Sequence, residues 1–249
     1  METSSVKTAL LTIGGGALSV QAFATLREMS NLRGVVFSQR KKKGSKLKRV
    51  VEYGAWYTMQ QLGSQLYNLQ RGNKLSPEQD AASAVESRIW RSSKSAKPVG
   101  DWLEAEEVEL VVVSGFQFIL RASFFNRVPY CFNIHPSYLP AYKGPEPIAW
   151  GVLDRQKQFG VTLHEVDEGI DTGAIFAQTA VSRPRWPLFA HVEQQLANQL
   201  PPLLQRLLEA VHAKQVQTNP QLNEGFYLAA PTLAARRERA DRPTATQTQ

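Results

Sequence analysis

Apolar residues in this chain gather into short unbroken runs, separated by glycine-bearing turns and by longer stretches with helical spacing. Residues 7–13 (KTALLTI) read as a buried first strand that runs straight into Gly14-Gly15-Gly16. Residues 17–28 then place Leu18, Phe23, Ala24 and Leu26 at helical spacing, and residues 34–38 (GVVFS) form a second strand. Strand, glycine turn, helix and strand in that order predict the start of a doubly wound parallel sheet, because parallel strands need a crossover helix.

The pattern continues with residues 50–69, rich in aromatic and apolar positions and free of proline, which read as one helix. Residues 71–100 are polar and receive no assignment. Residues 109–114 (ELVVVS) are a buried strand preceded by an acidic helical turn from Asp101, and 130–134 (YCFNI) a short strand. Three prolines and a glycine make 135–146 a loop. Residues 148–153 follow as helix, 161–166 (VTLHEV) as strand, 167–173 (DEGIDTG) as loop and 174–181 as strand. A helical stripe then runs through Leu188, Val192, Leu196, Leu200, Leu203, Leu207 and Val211, where Pro201-Pro202 must kink or split it. From Arg236 a polar tail is expected to be disordered. The expected organisation is a catalytic domain over 1–185, a helical extension over 186–235 and a tail over 236–249, with no internal repeat.

Composition changes this picture little: 43% hydrophobic and 20% charged residues are ordinary for a globular chain of 249 residues. No apolar run has the length of a bilayer span, and residues 1–7 lack the layout of a secretory signal, so a cytoplasmic location is expected. The lone Cys131 excludes an internal disulfide and a cysteine-rich zinc site. The net charge of +7 is local, because Arg40, Lys41, Lys42, Lys43, Lys46, Lys48 and Arg49 supply seven positive charges with no acid among them. Such a segment is either a solvated surface run or a contact for phosphates, RNA included.

Candidate chemistry lies in two loops that follow buried strands, where open α/β sheets build their sites. Alternation along a strand puts Asn133 and His135 on one face, and the second loop holds Asp167, Glu168 and Asp171 among glycines. An amide and an imidazole can donate hydrogen bonds to an oxygen that becomes negative, and a carboxylate can hold the imidazole charged and accept a proton from the nucleophile. No serine nucleophile is needed if the attacker is the substrate's own amine. By the same alternation His164 could approach the cleft, and it stands as a minor candidate.

NIHPSYLPAYKGPEPIAW (133–150) followed by GVTLHEVDEGIDTGAI (160–175) closely resembles the formyltransferases that use 10-formyltetrahydrofolate, with acceptors such as methionyl-tRNA, glycinamide ribonucleotide and sugar nucleotides. The resemblance covers about residues 107–181 well and the first strand, turn and helix loosely. It implies a Rossmann-like α/β fold with a mostly parallel sheet flanked by helices. It also implies Asn133, His135 and Asp171 as the catalytic trio, and no metal. The folate is expected against residues 114–120 and the DEGID loop, at Phe118, Ile119, Leu120, Asp167, Gly169 and Ile170. Ser137 and Lys143 are expected to border the acceptor, Lys143 standing where many members have arginine.

Other departures bear on the acceptor. Ala17-Leu18 replaces the Ser-Asn pair usual after the first turn of the purine-pathway members, which counts against a ribonucleotide. The 68 residues after Val181 read as helix, short segment and tail, not as the C-terminal β-barrel domain that methionyl-tRNA members carry. The segment PEPIAW is closer to the tRNA and sugar types, and the basic patch resembles the basic loop that tRNA-directed members insert after the second strand. The expected reaction is therefore formyl transfer to a small amine, an amino sugar nucleotide or an amino-acid derivative. The alternatives are a methionyl-tRNA type of enzyme lacking the C-terminal domain, a non-catalytic folate- or RNA-binding relative, and a hydrolase releasing formate.

Overall fold

Burial on both sides of the apolar runs forces a sheet with helices on each face. The computed structural model describes residues 4–39, 46–75, 85–222 and 225–240. Its seven strands are β1 (Lys7–Thr12), β2 (Asn31–Ser38), β3 (Glu86–Trp90), β4 (Leu110–Ser114), β5 (Tyr130–His135), β6 (Gln158–Glu165) and β7 (Ile175–Ser182). They lie in the order β3-β2-β1-β4-β5-β6-β7. The first five are parallel, and β6 and β7 close one edge as an antiparallel pair. Connections leave β1 toward β3 on one side and toward β5 on the other, so the topological switch point falls between β1 and β4, where a crevice opens at the strands' carboxyl ends.

Alternate residues of one strand feed two cores. Leu10, Val35, Val112, Phe132 and Val161 pack with α1 (Ala17–Met29), α6 (Phe189–Ala197) and α7 (Leu200–His212). Ala9, Leu11, Val36, Val111 and Val113 pack with α3 (Ala96–Ala105) and α4 (Ala122–Phe125) through Trp102, Leu103 and Phe124. The expected fold class is thus met, and the C-terminal helices α6 and α7 share the core of the sheet. Truncating a fully buried side chain such as Leu10 to alanine would cost about 2–5 kcal/mol.

Three segments differ from the sequence reading. The helix expected over 50–69 is α2 (Lys46–Arg71), broken at Gly54 with φ 79 and ψ 162, a conformation open to glycine and strained for other residues. Strand β3 lies within the stretch left unassigned, at the sheet edge, where ESRIW needs no continuous apolar run. Residues 236–240, expected in the disordered tail, instead belong to α8 (Leu233–Ala240). Arg236 explains this: Nε donates to the Pro231 carbonyl and a terminal nitrogen donates to the Tyr53 carbonyl beside the Gly54 break, with the guanidinium over the rings of Trp56 and Tyr57. Residues 241–249 lie outside the described part. So do 40–45 of the basic segment, and the side chains of 46–49 are not described either. The prolines behave as expected, since the stripe splits after Ala197 and Pro201 sits in the first turn of α7, where its missing N–H costs nothing. The short helix expected over 148–153 is α5 (Pro147–Leu153).

Candidate active site

The ends of β1, β4 and β5 and the β6–β7 loop enclose a cleft of about 870 Å³ at the switch point. Asn133, His135, His164 and Asp171 all line it. Pairing sets the first three: Asn133 lies opposite His164 across the antiparallel β5–β6 ladder, and His135 follows two residues on, on the same face. Asp171 reaches them from the β6–β7 loop with a left-handed backbone, φ 55, a conformation aspartate tolerates better than most residues.

The hydrogen bonds fix each group's orientation. His164 Nδ1 lies 2.7 Å from the Glu165 carbonyl and must donate to it, so in the neutral ring Nε2 is an acceptor. Asn133 Nδ2 lies 3.1 Å from His164 Nε2 and donates to Asp171 Oδ1 at 3.3 Å. Turning the amide over would set its oxygen against two acceptors, so the nitrogen points inward. Both amide protons are engaged at rest, which differs from the simple expectation of a donor free for an oxyanion. His135 Nε2 donates to the Tyr142 carbonyl at 2.9 Å, which leaves Nδ1 facing Asp171 Oδ1 at 3.5 Å. Asp171 Oδ2 accepts from the Gly144 N–H at 2.8 Å.

Electrostatics follow from this packing. Burial pushes His135 below the ordinary imidazole value and nearby His164 adds to that, while Asp171 pulls the other way. Burial would raise Asp171, but the contacts with His164, His135 and the Gly144 N–H together hold its carboxyl below the usual range. A neutral imidazole thus rests beside an ionised carboxylate, ready to take a proton once negative charge appears nearby.

The expected folate residues Phe118, Ile119, Leu120, Asp167, Gly169 and Ile170 line the same cleft. Ile119 is 71% exposed and Ile170 43%, an apolar surface open to the cleft. Leu120 is buried and belongs to the core as well. Asp167 accepts from the Gly169 N–H and from Thr172 Oγ1 and so holds its own loop. Ser137 and Lys143 are not brought to the cleft. Both are buried, Ser137 donating to the Ala141 carbonyl and Lys143 pairing its backbone with the C-terminal segment at Phe226 and Leu228.

Sequence reasoning left His164 at the margin and missed four others. Gln221 Nε2 donates to the carbonyls of Asp171 and Gly173, clamping the loop from 50 residues away. Gly144, with φ 115, presents its N–H to Asp171. Glu146 and Glu193 are partly buried carboxylates on the cleft wall, and both are raised by burial, Glu193 to about 7. Only a lone acid within an apolar helical stripe could have signalled Glu193. Among the described residues no group of three or more His, Cys, Asp or Glu side chains is placed to hold a metal ion, and no helix is long and apolar enough to cross a membrane.

A doubly wound sheet with an amide, two imidazoles and a carboxylate gathered at its switch point defines the class, an α/β protein with a polar cleft at the strands' carboxyl ends. More specifically, the chain belongs to the formyl transferase family, whose model matches residues 25–184. It is 37% identical over 120 residues to a methionyl-tRNA formyltransferase of Syntrophus aciditrophicus, a match covering 48% of this chain and 38% of that relative. The chain spans about half or less of the length of the curated relatives it matches. Among solved structures it resembles glycinamide ribonucleotide transformylase 1 of Symbiobacterium toebii, with TM-score 0.59 and 20% identity over 83% of this chain and 89% of that one. A sugar N-formyltransferase from a Shewanella species gives TM-score 0.59 and 17% identity over 98% and 83%. At these identities the likeness is one of fold.

Proposed function

We propose that the protein transfers a formyl group from 10-formyltetrahydrofolate to the primary amine of a small acceptor, an amino sugar nucleotide or an amino-acid derivative. The observation that carries this reading is the meeting of Asn133, His135, His164 and Asp171 in one cleft, beside the exposed Ile119 and Ile170. A flat heterocycle fits that apolar wall, and backbone groups of the 115–120 and 167–171 segments are at hand to read its polar edge.

In this account the amine nitrogen bonds to the formyl carbon, and the bond from that carbon to the folate nitrogen breaks. His135, anchored through Nε2 on the Tyr142 carbonyl, takes up a solvent proton at Nδ1 as negative charge develops on the oxygen, donates from Nδ1 to that oxygen, and releases the proton when the carbonyl re-forms. Asp171 accepts the proton that the amine loses and passes it on to the departing folate nitrogen, which leaves the carboxylate ionised again. Protonation of Asp171 weakens its hold on the Asn133 amide, which frees an N–H for the same oxygen. At rest the Asn133 oxygen can accept from the amine and set its angle of attack.

A second reading, transfer to an aminoacylated tRNA, is favoured by the naming of the curated relatives as methionyl-tRNA formyltransferases. Titration with 5-formyltetrahydrofolate tests the folate half of the proposal. Binding weakened at least tenfold by Ile119→Asp supports it, and equal binding by both proteins contradicts it.

A further inference from the structure

The second half of the cleft has an electrostatic character that bears on the acceptor. This inference rests on the proposed transfer and narrows its substrate class. Gly14-Gly15-Gly16 and the start of α1 have the form of a phosphate-binding turn. The N-cap residue Gly16 has no side chain to cap the helix. The cap comes instead from Glu193 on α6, whose Oε1 accepts from the Leu18 N–H at 3.3 Å, with the Ala17 N–H also directed at the carboxylate. The Gly16 N–H is taken by the Asn73 carbonyl at 3.2 Å. The fit is close, since a Cβ on Gly16 would stand 2.1 Å from Glu193 Oε1.

Of the donors that could cradle an anion at this turn, the Ala17 and Leu18 N–H groups are therefore already taken by a carboxyl group and the Gly16 N–H by a backbone carbonyl. The surrounding wall agrees. Glu146 lies near enough to raise Glu193 further, and Gln61, Gln65 and Asn68 add uncharged amides. Among the described residues lining the cleft, none is lysine or arginine.

We infer that Glu193 is a specificity-determining residue that excludes phosphate from the α1 terminus and selects an amine whose body presents hydroxyl or ammonium donors there. An incoming donor would supply what Glu193 lacks, since its carboxyl, pushed up to about 7 by burial, has backbone N–H partners and no cation. A phosphate placed at this terminus would meet Glu193 and Glu146, with the Gly16, Ala17 and Leu18 N–H groups already engaged.

Two measurements test this. Inorganic phosphate is titrated into wild type, E193Q and E193A, followed by ³¹P line broadening, so that no turnover is needed. The inference predicts that E193A gains a saturable phosphate site at least tenfold tighter than any in wild type. E193Q, which keeps the cap and its bulk, should gain none. Equal phosphate binding by wild type and E193A overturns the inference, even if the folate reading stands. Should E193A fail to fold, the second measurement decides. The kcat/KM for glucosamine and glucosamine 6-phosphate is compared in wild type and E193Q with 10-formyltetrahydrofolate as donor. A preference of at least tenfold for the unphosphorylated amine, reduced in E193Q, supports the inference. A wild-type enzyme that favours the phosphate ester contradicts it. Loss of all turnover with an unchanged phosphate result would count against the transfer reading alone.

Discussion

Asn133 and His164 face each other across the β5–β6 ladder, with 3.1 Å between Nδ2 and Nε2. This pair decides which way the Asn133 amide points, because the Glu165 carbonyl fixes the His164 tautomer and leaves only an acceptor toward Asn133. His164 is therefore a positioning residue for the amide. His164→Ala is expected to lower kcat about tenfold or more with little change in the KM for folate, while His164→Gln restores part of the loss. Steady-state kinetics separate these outcomes from a loss of folding, which would reduce active enzyme without this rescue.

Gly144 carries two constraints at once. Its φ of 115 is hard on any other residue, and a Cβ would lie 2.3 Å from the Leu228 carbonyl oxygen. Gly144→Ala should destabilise the fold by at least about 1–3 kcal/mol and displace the N–H that Asp171 Oδ2 accepts. Urea denaturation reads the first effect, and a drop in kcat beyond the loss of folded protein reads the second.

Gln221 ties the loop of Asp171 to the C-terminal segment by two hydrogen bonds of 2.9 Å. Gln221→Ala removes about 1 kcal/mol for each. The expected result is faster hydrogen exchange over residues 168–174 and a several-fold lower kcat, with the cores of the sheet unchanged.

Acid and base should act on stability through different groups. His135 is held below its ordinary 6.5 mainly by burial. The unfolded chain binds its proton more readily, so the contribution is present above about 6.5 and is lost as pH falls toward the folded value. His135→Asn should flatten the decline of the urea midpoint on acidification through that window. Glu193 behaves in the opposite sense. Its carboxyl is raised from 4.5 to about 7, so the contribution is full below 4.5 and is lost as pH rises through 7. E193Q is expected to match wild type near pH 4.5 and to exceed its urea midpoint at pH 8.

Much of this arrangement was legible in the sequence because it rests on strand alternation and local turn chemistry. Asn133 and His135 share a face through the period of two, and the glycines around Asp171 mark a loop that can turn a carboxylate inward. Contacts between distant segments carry no such period. The hold of Gln221 on Asp171, the cap that Glu193 places on α1 and the docking of Arg236 beside Gly54 each join residues 50 or more positions apart. Strand β3 escaped notice because an edge strand buries only part of its surface. Of the two residues expected from resemblance at the acceptor border, Ser137 bonds within its own loop and Lys143 pairs its backbone with the distant C-terminal segment, and no local pattern in the sequence signals either contact.

The measurement that bears most directly on the account is formyl transfer from 10-formyltetrahydrofolate to a panel of amines, followed by the absorbance of tetrahydrofolate in wild type and Asp171→Asn. The panel holds amino sugars, amino sugar nucleotides, amino-acid amides and methionyl-tRNA. Acceptor-dependent turnover that falls about 10²–10⁴-fold in the variant is the predicted result, with the folate still bound. Turnover unaffected by Asp171→Asn, or a wild-type protein that does not bind the folate, would contradict it.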